Sequence, residues 1–278
     1  MNVDRIVLTT FPGYFFTQVL SLRSIQKYAA GFPIDIIIDN FQLTHWPTYV
    51  EDCEQYLDHC FPNNNFNYYY YSQLPGIKQV KTGGWFRQQL IKMYLDQLVP
   101  GDRWLLVDAD VVLEQSPSID SVSAVVRNSE PIGLGNRLYV QHMLGTTQPW
   151  VVNETEFWCL SSVPFRLIER ALIVELRQLA EQLHGDFMQH HLDLFESQQI
   201  VAYDPAGQTM VMSEFQLIEV FRNRYYRNPL PILRSGASKF THSSQKDWRF
   251  ERSWFEQQGV DVSDQYWNSS QTFGKHHV

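Results

Sequence analysis

Two aspartates two residues apart give the clearest chemical signal in the sequence. Asp108 and Asp110 flank one alanine and follow an apolar run, Arg103–Val107. In an extended segment, residues i and i+2 lie on one side, so the two carboxylates repel each other unless a cation binds between them. Carboxylate oxygens suit Mg²⁺ and Mn²⁺, and such a cation can bind a diphosphate in turn. The pair predicts a divalent cation site; the alternative is a turn with two solvated acids.

The distribution of charge indicates the kind of ligand. The formal net charge is −8, yet residues 222–252 contain eight Lys and Arg residues against only two acids. A basic segment in an acidic chain favours a small anionic ligand, and nucleic acid is not an expected partner. A solvated helical face is the alternative interpretation of this segment.

The elements that must position the carboxylates alternate between strand and helix. Apolar runs predict strands, and apolar residues at helical spacing predict the helices between them. The predicted strands are Arg5–Thr10, Ile34–Ile38, Asn67–Tyr71 and Arg103–Val107, and the predicted helices are Phe16–Ala30, Tyr49–Cys60 and Trp85–Leu98. This order implies an α/β fold with a mostly parallel, Rossmann-like central sheet flanked by helices. Ligands bind beyond the carboxyl ends of such strands, where the polar residues are Thr9, Thr10, Asp39 and Asp108.

The second half of the sequence is less regular. We predict a strand at Phe157–Leu160, helices at Pro164–His184, Ser213–Phe221 and Asp247–Gln257, and an extended segment at Ala237–His242. No linker rich in Pro, Gly and Ser divides the chain. We therefore expect one domain over residues 1–278, with a nucleotide-binding half (about 1–115) and an acceptor-binding half (about 116–278) that carries the basic segment.

Four motifs along the chain carry a family resemblance. They are Gly84–Lys92 (GWFRQQLIK), Trp104–Leu113 (WLLVDADVVL), Gln141–Met143 (QHM) and Ser213–Phe215 (SEF). Together they resemble a poorly characterised bacterial group of GT-A glycosyltransferase-like proteins with a W-x-x-Q-Q-x-x-K helix and a later S-E-[YF] motif. The aspartate pair corresponds to the DxD motif of GT-A enzymes. The resemblance extends over roughly residues 5–250.

The resemblance implies a metal-dependent glycosyltransferase, either a hexosyl- or a pentosyltransferase. It would move a sugar from a nucleotide sugar, most simply a UDP-sugar, to a glycan or another hydroxyl acceptor, as in polysaccharide biosynthesis. Asp108, Asp110 and His242 would bind Mn²⁺ or Mg²⁺, and Lys246 would meet the diphosphate, although the spacing from His242 to Lys246 differs from the commonest form of that segment. The residues expected around the donor are Thr9, Thr10, Asp39, Gln88, Lys92, Asp108 and Lys246.

A general base must remove the proton of the acceptor hydroxyl, and we assign that role to Glu214. A single well-placed base favours inversion at the anomeric carbon. An acid that serves only the helix dipole is the alternative for Glu214. The rival bases are Glu154, Glu156, Asp186 and Asp193. The imidazoles of His142, His184, His190 and His191 show no clean metal-binding spacing.

Other functions remain open at this point. A sugar nucleotidyltransferase usually has a basic, Gly-rich loop after its first strand, whereas Thr10–Tyr14 contains no Lys or Arg. A phosphatase of the acyl-phosphate type needs a small hydroxyl residue after Asp110, and Val111 and Val112 follow instead. A catalytically inactive module that binds glycan or nucleotide would show metal-dependent nucleotide binding without turnover.

Cysteine use and hydropathy bear on the compartment. The cysteines are Cys53, Cys60 and Cys159, an odd number without zinc-finger spacing, which favours free thiols. No apolar run approaches 18 residues, and the first residues do not resemble a signal peptide. We therefore expect a cytoplasmic protein without a transmembrane segment.

Overall fold

The computed structural model describes the backbone of most of the chain. The described residues are 3–41, 45–77, 84–113, 125–126, 134–146, 150–152, 155–157, 160–161, 165–201, 204, 208–224, 233–234, 240–242 and 252–269. Among these residues, no helix combines the length and apolar character needed to cross a bilayer.

Strands and helices alternate in the first half and become shorter and mixed in the second. The strands are β1 Arg5–Thr10, β2 Ile34–Ile38, β3 Asn67–Tyr70, β4 Arg103–Asp108, β5 Val111–Leu113, β6 Val125–Val126, β7 Trp150–Val152, β8 Thr155–Phe157, β9 Leu160–Ser161, β10 Phe165–Glu169, β11 Ile200–Val201, β12 Met210–Val211, β13 Leu233–Arg234 and β14 Phe240–His242. The helices are α1 Thr17–Tyr28, α2 Tyr49–Cys60, α3 Gly84–Met93, α4 Leu95–Leu98, α5 Leu134–Met143, α6 Arg170–His184, α7 Phe187–Glu196, α8 Glu214–Arg224 and α9 Arg252–Gln257.

The chain forms two compact units. The first unit comprises residues 1–73, 104–118 and 239–278, and the second comprises residues 74–103 and 119–238. The single-domain organisation expected from the sequence stays a prediction.

A parallel sheet forms the centre of the first unit. Its strands follow the order β4-β1-β2-β3, and every neighbouring pair is parallel. Every residue of β2 is buried, and so is all of β1 except Arg5, as expected of strands covered on both faces. The register pairs Thr10 with Ile38 and Thr9 with Asp108, so the carboxyl ends of β1, β2 and β4 meet at one edge. The predicted α/β class with a mostly parallel sheet flanked by helices is confirmed.

Helix α1 holds the segment after the aspartate pair in place. Its residues Val19, Leu22 and Ile25 are fully buried. From the same helix, the hydroxyl of Ser24 accepts a hydrogen bond of 2.9 Å from the backbone N–H of Leu113 in β5. The strand beyond the aspartates is thereby fixed to the core of the first unit.

In the second unit, the predicted helix Trp85–Leu98 is divided into α3 and α4. The break lies at Tyr94, whose φ of −123° and ψ of 23° leave the helical region. Arg177 explains the break, because its guanidinium donates to the carbonyl of Met93 and pairs with Asp96 at 2.6 Å. Its guanidinium carbon also lies 4.4 Å from the centre of the Tyr94 ring.

The predicted helix Pro164–His184 is wrong over its first turns, where the chain forms strand β10. Glu169 keeps an extended backbone, and α6 begins only at Arg170. The N–H of Arg170 donates to the carbonyl of Asp102 at 2.8 Å, and its side chain donates to the carbonyls of Gly101 and Asp96. These tertiary hydrogen bonds set the start of α6. They cannot be inferred from the spacing of apolar residues along the chain.

Candidate active site

The aspartate pair lies at the edge where the parallel strands end. Asp108 is the last residue of β4, and Asp110 completes the turn that leads into β5. Both side chains are partly exposed, whereas Ala109 between them is fully buried. The two carboxylates are therefore partly accessible to solvent at this edge.

The ends of β1 and β2 contribute the next polar groups. Thr9 and Thr10 are fully buried, and Asp39 is 4% exposed. The N–H of Asp39 donates to the carbonyl of Thr10 at 3.1 Å, which fixes the two strand ends together. One carboxylate oxygen of Asp39 accepts from the N–H of Phe41 at 3.2 Å. The structure therefore brings Thr9, Thr10, Asp39 and Asp108 to one sheet edge, as the sequence predicts.

Tyr14 is a site residue that sequence reasoning missed. It ends the short 3-10 turn Pro12–Tyr14 that follows β1. Its pKa is raised well above the ordinary value, first by burial and then by the negative charges of Asp110 and Asp108. A neutral phenol therefore lies within electrostatic range of the two carboxylates, where it can serve as a hydrogen-bond donor. The signal that could have found it is its position in the loop after the first strand.

The C-terminal segment returns to the aspartate pair through its backbone. Strand β14 pairs with β5 in antiparallel register, and His242 is opposite Val111, the residue after Asp110. The backbone of His242 thus lies next to the predicted cation site. Its side chain lies outside the described part of the structure, and so does all of Lys246.

Lys92 and Glu214 form a buried ion pair in the second unit. The ammonium nitrogen of Lys92 lies 2.9 Å from a carboxylate oxygen of Glu214, and each side chain is 2% exposed. The side-chain oxygen of Gln89 accepts from the N–H of Glu214 at 3.3 Å, and the Lys92 ammonium also lies 4.3 Å from the centre of the Phe215 ring. The ammonium favours the charged form of Glu214. Ser213 caps α8 as predicted, because its hydroxyl accepts from the N–H of Gln216.

Gln88 is also buried, with 6% of its surface exposed, on the same helix as Lys92. The roles of Gln88, Lys92 and Glu214 toward a donor or an acceptor stay predictions. Because all three side chains are buried, they also contribute to the packing of the second unit, which exposed side chains on a polar helix face would not do.

Two hydrogen bonds link three buried groups of the second unit: the hydroxyl of Tyr139, the ring of His191 and the carbonyl of Phe187. Nδ1 of His191 lies 2.7 Å from the carbonyl of Phe187, which can only accept, so Nδ1 carries the proton. Nε2 of His191 then accepts from the hydroxyl of Tyr139 at 2.9 Å. Burial and then the charge of Glu214 raise the pKa of Tyr139, and burial is the main cause that lowers the pKa of His191 to about 4. Both groups are neutral at pH 7.

The structure gives two of the rival bases local partners. Asp186 caps α7 by accepting from the N–H of Gln189 at 2.7 Å, and Asp193 accepts from the side chain of Gln189 at the same distance. Asp186 also borders a cleft of about 490 Å³ in the second unit, together with Tyr94 and Arg177. Glu154 and the side chain of Glu156 lie outside the described residues.

Comparison with known proteins gives a family match for part of the chain and distant structural neighbours. A family of unknown function, DUF6492, matches residues 17–146. No curated protein sequence matches the chain. The structure of galactosyltransferase LgtC in complex with donor and acceptor sugar analogs aligns with a TM-score of 0.44 and 10% identity, over 95% of this chain and 99% of that one. An active-site mutant of LgtC aligns with the same TM-score and identity, over 96% and 99%. Similarity at this level transfers neither a substrate nor a residue's role.

Proposed function

We propose that the chain is a metal-dependent GT-A glycosyltransferase that uses a nucleotide sugar, most simply a UDP-sugar, as donor. The acceptor is a glycan or another hydroxyl compound. The observation that carries the proposal is the position of Asp108 and Asp110 at the carboxyl edge of a parallel sheet. Ligands bind at this edge in open α/β folds.

The donor set fits a hard divalent cation. Asp108 and Asp110 are partly exposed carboxylates next to a buried Ala109, and both act electrostatically on Tyr14. The register of β14 brings the backbone of His242 beside the pair, which supports a third ligand there. Two carboxylates with an imidazole suit Mn²⁺ or Mg²⁺, and Mn²⁺ accepts the imidazole more readily.

A cation bound there would neutralise charge on the diphosphate as the sugar leaves. Within the same unit, Thr9, Thr10 and Asp39 would border the nucleoside, and the phenol of Tyr14 would donate a hydrogen bond near the carboxylates. Lys246 would offset the negative charge of the leaving diphosphate. These groups together bind and orient the donor.

Proton removal from the acceptor hydroxyl is assigned to Glu214. The Lys92 ammonium, 2.9 Å away, favours the carboxylate form of Glu214, which is the form that a base needs. Attack by the activated hydroxyl on the anomeric carbon from the side opposite the diphosphate inverts the configuration there. Because Glu214 is only 2% exposed, an acceptor must displace some of the residues that bury its side chain.

A thermal-shift panel tests the proposal most directly. UDP-, GDP- and CMP-sugars are added with and without Mn²⁺, and one donor class should raise Tm only with the cation. Asp110→Ala should abolish this shift without lowering the Tm of the free protein by much, because exposed positions contribute within about 0.5 kcal/mol.

The matched control is Asp261→Ala, which removes an exposed carboxylate from the same unit. This variant should keep the full Mn²⁺-dependent shift. An Asp110→Ala variant with an unchanged shift would exclude a cation role for the aspartate pair. A shift with no sugar transfer to any hydroxyl acceptor would favour a binding module.

A further inference from the structure

Three histidines that are distant in sequence meet in the second unit. His142 lies on α5, His184 ends α6 and His190 lies on α7. Their rings stack nearly parallel, with centres 4.6 Å apart for His142 and His184, 5.1 Å for His142 and His190, and 4.5 Å for His184 and His190. One nitrogen from each ring falls within 4.8 Å of the other two. The sequence spacing predicts no metal site here, but the fold creates the constellation.

The hydrogen bonds define which nitrogens can bind a metal. Nε2 of His184 lies 2.9 Å from the carbonyl oxygen of His142, so this nitrogen donates its proton and Nδ1 keeps the lone pair. Nε2 of His142 and Nε2 of His190 are 2.9 Å apart and share one proton. If that proton moves to the other nitrogen of its own ring, both Nε2 atoms carry lone pairs, and rotation of the two rings would direct both toward one ion. A backbone carbonyl that fixes the tautomer of a ligating histidine is a usual feature of metal sites.

All three histidine side chains are partly exposed, so solvent reaches the cluster. A tetrahedral ion with bonds of about 2.0–2.1 Å separates its ligand nitrogens by about 3.4 Å. For the pair at 2.9 Å to reach that separation, the two nearly parallel rings must move apart and rotate toward the ion.

We propose that His142, His184 and His190 bind one zinc ion, with water in the fourth position. Three imidazoles are a ligand set that suits a borderline ion, and the carboxylate pair of the first unit suits harder ions. The zinc ion would join α5 to the end of α6 and to α7. The site is separate in residues and in preferred metal from the proposed sugar-transfer site, so either can fail without the other.

Zinc binding is measured on the full chain after removal of metals with a chelator. Excess Mg²⁺ is present to compete for carboxylate sites, and zinc is titrated against a chromophoric chelator. The parent should bind one zinc ion per chain and show a higher Tm with zinc. Co²⁺ in its place should give the intense visible bands of four-coordinate cobalt.

The test variant is His190→Phe, which keeps an aromatic ring in the stack and removes both nitrogens. Its zinc affinity should fall by at least about a hundredfold. Loss of a group that only hydrogen-bonds to a metal ligand costs up to about a hundredfold, and His190 would be a ligand itself. The control is the double variant His276→Ala/His277→Ala, which removes the adjacent histidines of the C-terminal sequence and should bind zinc like the parent. His59→Phe, at an imidazole that is 71% exposed in the first unit, should also leave binding unchanged.

A measurement on the parent covers the case in which His190→Phe does not fold. Diethyl pyrocarbonate modifies accessible imidazoles, and mass spectrometry of the peptides locates the modified residues. Zinc should protect His142, His184 and His190 together and leave His59 reactive. The proposal is overturned if the parent binds zinc no more tightly than His190→Phe, if Co²⁺ gives only the pale six-coordinate spectrum, or if zinc leaves the three histidines as reactive as before.

Discussion

Breaking the buried ion pair between Lys92 and Glu214 should destabilise the folded second unit by several kcal/mol. Both side chains are 2% exposed, and their charged atoms are 2.9 Å apart. Removing one partner of such a pair leaves an uncompensated buried charge and costs about 3–5 kcal/mol. We therefore expect Lys92→Met to lower the free energy of unfolding by about that amount. With about 2–4 °C per kcal/mol for a chain of roughly this size, Tm should fall by about 6–20 °C.

The double variant Lys92→Met/Glu214→Leu separates the charge effect from the loss of packing. It removes both charges and keeps apolar groups of similar size, so its stability should return close to that of the parent or exceed it. Differential scanning calorimetry is the suitable assay, because it can resolve the transition of the second unit if the two units unfold separately. The single and double variants then form a double-mutant cycle.

The exposed pair of Arg252 and Glu256 supplies the control. These side chains are 39% and 53% exposed, and solvent screens their attraction. Arg252→Ala should therefore change Tm far less than Lys92→Met. If Lys92→Met lowers Tm no more than Arg252→Ala does, loss of Lys92 leaves no costly buried charge on Glu214, and the reasoning from the burial of the pair is refuted.

The same pair changes how the general base must be tested. Glu214→Gln alone would leave the Lys92 ammonium buried without its carboxylate, so a loss of turnover could result from damage to the fold. Lys92→Gln/Glu214→Gln has no buried charge, and its two amides can form a hydrogen bond. If Glu214 takes the proton and Lys92 only pairs with it, this variant should keep donor affinity and lose about 10²–10⁴-fold in transfer rate. A fall in donor affinity would instead place Lys92 at the donor. A rate within a few-fold of the parent, at a similar Tm, would remove Glu214 from the mechanism.

Three further substitutions test other parts of the structure. Asp186→Ala removes the cap that accepts from the N–H of Gln189 and should cost about 1 kcal/mol in urea unfolding, whereas a loss of turnover at full stability would make Asp186 the base. Gly135→Ala should cost about 1–3 kcal/mol, because a Cβ there would lie 2.5 Å from the carbonyl oxygen of Thr209; an unchanged Tm would contradict this close approach. Lys246→Ala should weaken UDP binding by about 1.5–3 kcal/mol in calorimetry and leave uridine binding unchanged, and an equal loss for both ligands would separate this residue from the phosphates.

The parallel sheet could be predicted because its signals are local. β1, β2 and β4 are short apolar runs followed by polar residues, and each strand lies where the sequence predicts it. Thr9, Thr10, Asp39 and Asp108 meet at one edge because the carboxyl ends of parallel strands point the same way. Tyr14 follows the carboxyl end of β1, so its position near this edge could have been predicted in the same way. In the sequence, this loop was notable only for its lack of basic residues.

The parts that could not be predicted depend on side chains that come from distant segments. The break at Tyr94 exists because Arg177 takes the carbonyl of Met93, and the late start of α6 depends on the hydrogen bonds of Arg170. The histidine cluster combines residues 142, 184 and 190 from three helices, and no spacing rule contains that arrangement. The periodicity of apolar residues indicates which face of a helix or strand is apolar. It does not indicate which residue from a distant segment will form a hydrogen bond or ion pair with a polar group.

Two of the three motifs that carry the resemblance beyond the aspartate pair meet in one buried contact. The W-x-x-Q-Q-x-x-K helix supplies Gln89 and Lys92, and the S-E-[YF] motif supplies Glu214 and Phe215. Gln89 accepts from the N–H of Glu214, and Lys92 contacts both the carboxylate of Glu214 and the ring of Phe215. These contacts give the motif residues a structural role in the second unit, whatever substrate is used. Their presence supports the architecture, whereas transfer chemistry is proposed from the position of Asp108 and Asp110 at the carboxyl edge of the parallel sheet.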